Sequence, residues 1–533
     1  MLISCILFVI LALYAILQST ILRRRRGQGL EPPVAPSVIP FFGHAIGMVR
    51  YGKSYYQRLR DQCQHPIVTL RLGGLKVYAV FSIPIIQSIQ KQNKSFAFQP
   101  IQAKFSVKLC GASKDAFRIL QKDMNQETGE YGTIYTAMHR ALNPGEFLNK
   151  MSTESTARIC DSINNIQSGA SIKLDEWLRH QVTLATTHAV YGPHNPFQDP
   201  NVEKAFWAFE RAIPSLIFLP KWMTHQGYQN RKIIADAFLR YFQNNHHEQA
   251  SVLVRDFYTA EISYGFSESD RSLFEVGHAV ATLANTYAAI FWLIFYVFSD
   301  SKALQTIRLE VSSITTTTVD VTDDKQTSRH VLDLTKINSH CPLLLSTFRE
   351  TMRVHSVGIS LREVCKDTIL NNTYYLKRGA TIIMPTIAIH TDPRIWGHDA
   401  SSFKYDRFLS TADATGIQKD KVSPAAFRGF GGGSTLCPGR HFATTQIMVW
   451  ISMLVMRFDI EPVSGQWQKP TTEKSNVANV ITRPDHDIEV RLIPRCHYKD
   501  GIWEVRIAGS EATPSMTVDD FIGNQEVDSS DRI

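Results

Sequence analysis

The chain has 533 residues, 44% of them hydrophobic and 20% charged. That is ordinary globular usage and excludes a disordered chain, a collagen and a multi-span transporter. The 57 Lys and Arg exceed the 49 Asp and Glu by a net charge of +8, and one run of four arginines supplies half of it. The rest is near balance, so composition implies no nucleic-acid partner.

Residues 2–22, LISCILFVILALYAILQSTIL, carry no charge. Roughly 20 helical residues cross a hydrocarbon core of ~30 Å. Arg23, Arg24, Arg25 and Arg26 follow at once. A secretory signal carries its charge before the apolar run, whereas charge after it retains that flank in the cytosol. Residues 1–22 therefore read as one transmembrane signal-anchor with the bulk of the chain cytosolic. Residues 23–47 read as a basic, Pro-rich hinge, stiffened by Pro32, Pro33, Pro36 and Pro40.

Residues 48–507 hold no obvious linker or repeat and read as one catalytic domain. Apolar spacing of three and four predicts helices over 202–218 and 231–242. Residues 67–81 predict two strands across Gly73-Gly74. Strand patterns recur at 373–385, around Gly379, and at 486–494. The uncharged stretch 276–299 is long enough for a second span. Its His278, Thr282, Asn285 and Thr286 fit a buried core helix better, because polar groups are costly in lipid. The Thr-rich 311–330 reads as an exposed loop, and 508–533 as an acidic disordered tail. The fold class is mostly α with small β-sheets.

The eight cysteines are scattered without a CxxC pair, which excludes a disulfide framework and a cysteine-rich zinc site. One of them sits in Phe430-Gly431-Gly432-Gly433-Ser434-Thr435-Leu436-Cys437-Pro438-Gly439-Arg440. The glycines permit positive φ and close approach to a flat ligand. An apolar helical run follows, so Cys437 lies just before a helix N-terminus, where thiolate is favoured. A thiolate beside a glycine platform is what haem iron ligation requires. Glu350 and Arg353 lie three apart on a predicted helix, and Arg407 can complete a carboxylate–guanidinium network with them.

In these motifs the chain resembles the cytochrome P450 superfamily of haem-thiolate enzymes. The Phe-x-x-Gly-x-x-x-Cys-x-Gly pattern falls on Phe430, Gly433, Cys437 and Gly439. The Glu-x-x-Arg pair and its third arginine fall on Glu350, Arg353 and Arg407, and a His-x-Asp-Pro segment falls on His390, Asp392 and Pro393. The resemblance implies the cytochrome P450 fold, haem b as cofactor and Cys437 as its axial metal ligand. It also implies that Arg362 contacts a haem propionate, with His139 or Arg140 on the other. Two departures stand out. Thr435 occupies a position that commonly holds Arg or His. Ala284 and Asn285 occupy the positions of the usual acid and threonine. Both look like the branch holding sterol 7α/12α-hydroxylases, prostacyclin synthase and fungal biosynthetic relatives.

By this resemblance the chain is a monooxygenase that oxidises a lipophilic terpenoid, sterol, polyketide or alkaloid in secondary-metabolite biosynthesis. Asn285, holding a water, and Thr286 would supply protons. Electrons would come from NADPH through an NADPH-cytochrome reductase. The enzyme would sit in the endoplasmic reticulum membrane as a single-pass protein in contact with lipid. The alternatives are a haem-thiolate isomerase or dehydratase that needs no reductase, and a non-enzymatic haem carrier or sensor.

Overall fold

The computed structural model describes residues 31–507 apart from 38, 40, 41, 125, 127, 168, 323, 324, 410–421, 476–478, 499 and 500. The expected membrane anchor, the arginine run and the acidic tail lie outside the described residues.

Residues 32–37 of the Pro-rich stretch run alongside the first strand. Thr69 N–H donates to Pro33 O at 2.8 Å and Ala35 N–H to Thr69 O at 2.9 Å. The stretch is therefore docked on the sheet rather than free, and helices Gly43–Tyr51 and Tyr55–Cys63 follow it. Strands β1 (Ile67–Leu72) and β2 (Leu75–Val80) form the predicted hairpin. Its two-residue turn has φ of +52° at Gly73 and +93° at Gly74, which only glycine adopts cheaply. β3 (Phe96–Ala97) leads into helices Gln99–Cys110 and Glu130–Leu142. The predicted helical periodicities appear as Pro200–Phe218 and His225–Gln243.

The central apolar stretch is buried in protein, but it is two helices, Glu268–Leu283 and Thr286–Phe298. The break falls at Ala284 and Asn285. Every side chain from Thr286 to Phe298 is buried, with Trp292 among the largest fully buried ones. Each large apolar side chain so removed from water contributes ~1.5–3 kcal/mol. That burial accounts for a composition that resembles a membrane span. Helices Leu174–Tyr191, Pro342–His355 and Arg440–Arg457 pack around this axis.

The Thr-rich 311–330 is not a loop. It folds as the antiparallel ribbon β4 (Thr315–Thr322) and β5 (Lys325–Asp333). β-branched Thr and Val favour a pleated surface even where both faces are polar. The strand Ile502–Arg506 adds in parallel to β5, and Leu332 and His330 are buried there.

β6 (Ile359–Val364) and β7 (Thr381–Pro385) complete a five-stranded sheet in the order β1-β2-β7-β6-β3. The strands flanking Gly379 separate: Tyr374–Leu376 pairs with Thr368–Leu370, while β7 enters the main sheet. The late strand appears at Glu489–Pro494. Alternation along β6 divides its side chains. Ile359 and Leu361 pack on the layer of Tyr55 and Leu59, and Arg362 is buried on the opposite face.

Candidate functional site

Glu350 and Arg353 are fully buried one turn apart. Arg353 grips the carboxylate with two bonds, Nε to Oε2 at 2.8 Å and Nη2 to Oε1 at 2.8 Å. Arg407 Nε adds a third at 3.0 Å to Oε1, and Lys404 N–H a fourth at 3.0 Å. The remaining donors of Arg353 go to the carbonyls of His390, Ala400 and Ser402. The three residues matched to the Glu-x-x-Arg motif therefore meet, and they tie Pro342–His355 to the chain at 390–407.

His390 extends the network. Its Nε2 accepts the N–H of Arg428 at 2.8 Å, so Nδ1 carries the proton and donates to Arg353 O at 2.8 Å. Burial pushes the His390 imidazole down to about 3, and Arg353 and Arg428 add to this, so the ring is neutral. The loop that follows reverses on itself: Cys437 N–H donates to Phe430 O at 2.9 Å. Gly433 sits at φ +59°, and a Cβ there would lie 2.8 Å from the Gln90 side chain. A Cβ on Gly439 would approach Cys437 Sγ to 4.0 Å. Cys437 is half-buried, and burial pushes its thiol up, against the Gly439 N–H and Arg440. The helix that follows starts three residues later, at Arg440.

Arg362 is fully buried and donates to Thr435 Oγ1 at 3.0 Å and Ser434 Oγ at 3.3 Å. Thr435 is thus a neutral acceptor for the arginine expected at a propionate. Arg428 lies beside it, also buried, with Nη2 on Ser360 Oγ at 3.2 Å. Burial brings both guanidinium groups down to about 10. Sequence reasoning missed Arg428, because no spacing rule places it next to Arg362. It also missed Tyr135, whose OH donates to Gln102 Oε1 at 2.7 Å and whose ring lies within electrostatic reach of Arg362.

Arg140 does not join this group. Its guanidinium is about half exposed and pairs with Asp256 at 2.8 Å on the helix Val252–Ser263. Five residues on from Tyr135, it lies about 140° around the same helix. His139 is exposed as well.

On the central helix, Ala281 is exposed, and His278, Thr282 and Asn285 are half-buried. These positions follow i, i+3, i+4, i+7 and form one open stripe. Asn285 Oδ1 accepts the N–H groups of Val480 and Ile481, each at 3.1 Å. Val480 in turn covers Gly358, where a Cβ would meet it at 3.1 Å. Arg483 donates to Glu210 Oε2 at 2.5 Å and lies between the rings of Trp207 and Tyr287. Central helix, 480 segment, β6 and cysteine loop thus form a linked series of contacts. Thr286 is buried at the first position of its helix.

The donor set fits a flat cofactor bearing carboxylates. A soft sulfur ligand lies beside a glycine platform, and two buried cations have unpartnered Nε atoms. The cytochrome P450 family model matches residues 32–490, which takes in every element of this site. The chain belongs to the cytochrome P450 family. Members of that family are haem-thiolate enzymes. This P450 is 30% identical over 488 residues to the cytochrome P450 monooxygenase nodJ of Hypoxylon pulicicidum, covering 90% of this chain and 93% of that one. It is 27% identical over 492 residues to a cytochrome P450 monooxygenase of Gibberella zeae, covering 89% and 91%. It is 23% identical to the cholesterol 7-alpha-monooxygenase of Cricetulus griseus, covering 88% and 94%. The P450 is therefore an oxidoreductase of the monooxygenase type.

Proposed function

We propose that this P450 inserts one oxygen atom into a C–H bond of a terpenoid, sterol, polyketide or alkaloid in fungal secondary metabolism. The observation that carries the reading is the stripe of His278, Ala281, Thr282 and Asn285, which opens beside Val480. The small side chains of Ala281 and Thr282 leave room for a lipophilic body, and Asn285 offers one amide to orient it. The names of the fungal relatives support monooxygenation, and that of the cholesterol 7-alpha-monooxygenase supports a sterol-like lipophilic substrate. The isomerase and haem-carrier readings draw no support from them.

Haem held by a thiolate supplies activated oxygen, with the sulfur donating electron density that favours O–O cleavage. Cys437 would hold the haem iron through its sulfur, and Arg362 would hold a propionate. Phe430, Gly433 and Gly439 shape the loop that presents the sulfur. The Glu350–Arg353–Arg407 network fixes the loop's distance from the sheet through His390. Asn285 gives its oxygen to the 480 segment, so its Nδ2 is the atom left to hold a water or a substrate oxygen. Thr286 follows it at the helix start as the second proton-handling candidate.

Electrons would come from NADPH through a membrane-bound NADPH-cytochrome reductase. Residues 2–22 would anchor the enzyme in the endoplasmic reticulum membrane with the catalytic part cytosolic. Exposed Phe218, at the end of the helix Pro200–Phe218, and Trp222 and Met223, in the turn before the helix His225–Gln243, would add contact with lipid. The test compares metabolites of the native host with those of a strain lacking the gene. A vanished product one oxygen heavier than the accumulated precursor supports the proposal. An isomeric pair, or one differing by water, overturns it.

A further inference from the structure

Arg362 and Arg428 present an unusual local charge balance. Both side chains are at most 3% exposed. Neither pairs with a carboxylate among the described residues, and the Nε of each has no partner there. Among the described residues their side-chain hydrogen bonds go to neutral acceptors: Leu361 O, Ser434 Oγ and Thr435 Oγ1 for Arg362, Ser360 Oγ for Arg428. The nearest acid on β6, Glu363, is turned to the other face, where it pairs with Lys104. Two neighbouring cations removed from water without a counter-ion are costly, and proteins keep such groups where an anion completes them.

The backbone holds this pair deliberately. His390 Nε2 fixes the Arg428 N–H, which sets the residue at the start of the cysteine loop. Gly432 runs extended directly over the guanidinium, and a Cβ there would sit 3.2 Å from Arg428 Nη1. Ser360 and Arg362 share one face of β6 by strand alternation, so the hydroxyl that Arg428 reaches lies on the Arg362 side of the strand, and the two guanidinium groups are within electrostatic reach of each other. The cluster therefore offers a double positive charge beneath the glycine platform, and haem carries two carboxylates.

We propose that Arg428 is a second cationic contact for the haem propionates, supplying from the start of the cysteine loop the charge that Thr435 does not. Arg428 and Arg362 then bind the carboxylate edge together, and Thr435 serves as a neutral spacer on Arg362. Arg428 is a positioning residue for the cofactor rather than a catalytic one. The proposal rests on the haem reading, which the carbon monoxide difference spectrum of the unaltered enzyme tests separately.

The experiment compares the full-length enzyme with Arg428→Met, which keeps length and removes charge. Each apoprotein is loaded with haem, or with haem dimethyl ester, in which both propionates are neutral. The readout is the rate at which pigment passes to excess apomyoglobin. With haem, Arg428→Met is expected to lose pigment faster by on the order of ten- to a hundredfold, the scale of a lost charge-assisted hydrogen bond. With the dimethyl ester, the two proteins are expected to lose it at matching rates. Equal rates with ordinary haem overturn the proposal. So does a gap of the same size with both pigments, since Arg428 would then act on the fold and not on the carboxylates.

Discussion

Asn285 Oδ1 accepts the backbone N–H of Val480 at 3.1 Å, and the adjacent Ile481 N–H at the same distance. The helix break at this residue and the 480 segment are therefore one unit. Asn285→Ala is expected to leave the thiolate–carbon monoxide spectrum intact, because Cys437 is on another element. It is expected to cost about 0.5–1.5 kcal/mol of stability through the lost hydrogen bonds to this partly exposed segment. It should also change the ratio of oxidised products, since Val480 loses its tether. Denaturant unfolding and product analysis read both effects. An unchanged stability with an unchanged product ratio would show that the tether does nothing.

Glu350 is fully buried under three donors from two arginines. Glu350→Gln leaves Arg353 charged and buried without a counter-ion. Breaking a buried pair from one side costs about 3–5 kcal/mol. Haem content per polypeptide is expected to fall with the unfolding midpoint, because His390 carries the distortion to the start of the cysteine loop. Normal haem content with a normal midpoint would refute this coupling.

The pH dependence has a defined sign. Burial depresses His390 from its ordinary 6.5 to about 3, so between those values the unfolded chain binds the proton and the native ring does not. Stability is therefore full above pH 6.5 and falls as pH drops toward 3, by about 1.4 kcal/mol per unit for this one group. His355 is lowered by burial in the same direction. Unfolding free energies between pH 5 and 7 are expected to flatten in His390→Asn relative to the unaltered enzyme. Parallel slopes would show that His390 is not the titrating group.

Glu130 works in the opposite sense. Burial raises it from 4.5 to about 7, with His278 partly opposing. Its native form resists ionisation, so stability is lost as pH rises from 4.5 through 7. Glu130→Gln removes that loss and is expected to stabilise the protein at pH 8 by up to about 3 kcal/mol, with little effect below pH 4.5. A destabilised variant at pH 8 would mean that the ionised carboxylate has a native partner.

The parts of the site written as local motifs were legible in the sequence. Glu350 and Arg353 share a helix face by spacing alone, and the glycine run before Cys437 marks a constrained loop. What escaped was set by packing between distant segments. Arg428 meets Arg362 only because His390 fixes one backbone and strand alternation turns the other. Arg140 looked equivalent to its neighbours, yet helix geometry turns it to Asp256 and leaves Tyr135 facing Arg362. The ribbon at 315–333 was read as a loop because polarity outweighed the β-branched pattern. The break at Asn285 interrupts an apolar periodicity that continues on both sides.

The exposed side chains of Phe218 and Trp222, at 76% and 79%, are too apolar and too close in sequence for an ordinary surface turn. If they rest in lipid, Trp222 lies at acyl-chain or headgroup depth in the membrane-bound enzyme. In nanodiscs with brominated acyl chains, part of the tryptophan fluorescence should be quenched, and Trp222→Phe should remove most of that quenching. The other described tryptophans are largely enclosed by protein: Trp207, Trp292, Trp396, Trp450 and Trp503 are buried, Trp177 packs edge-on against Trp450, and the half-buried Trp467 packs edge-on against Phe295. Quenching that persists unchanged in Trp222→Phe would place the turn in water and assign membrane contact to other segments.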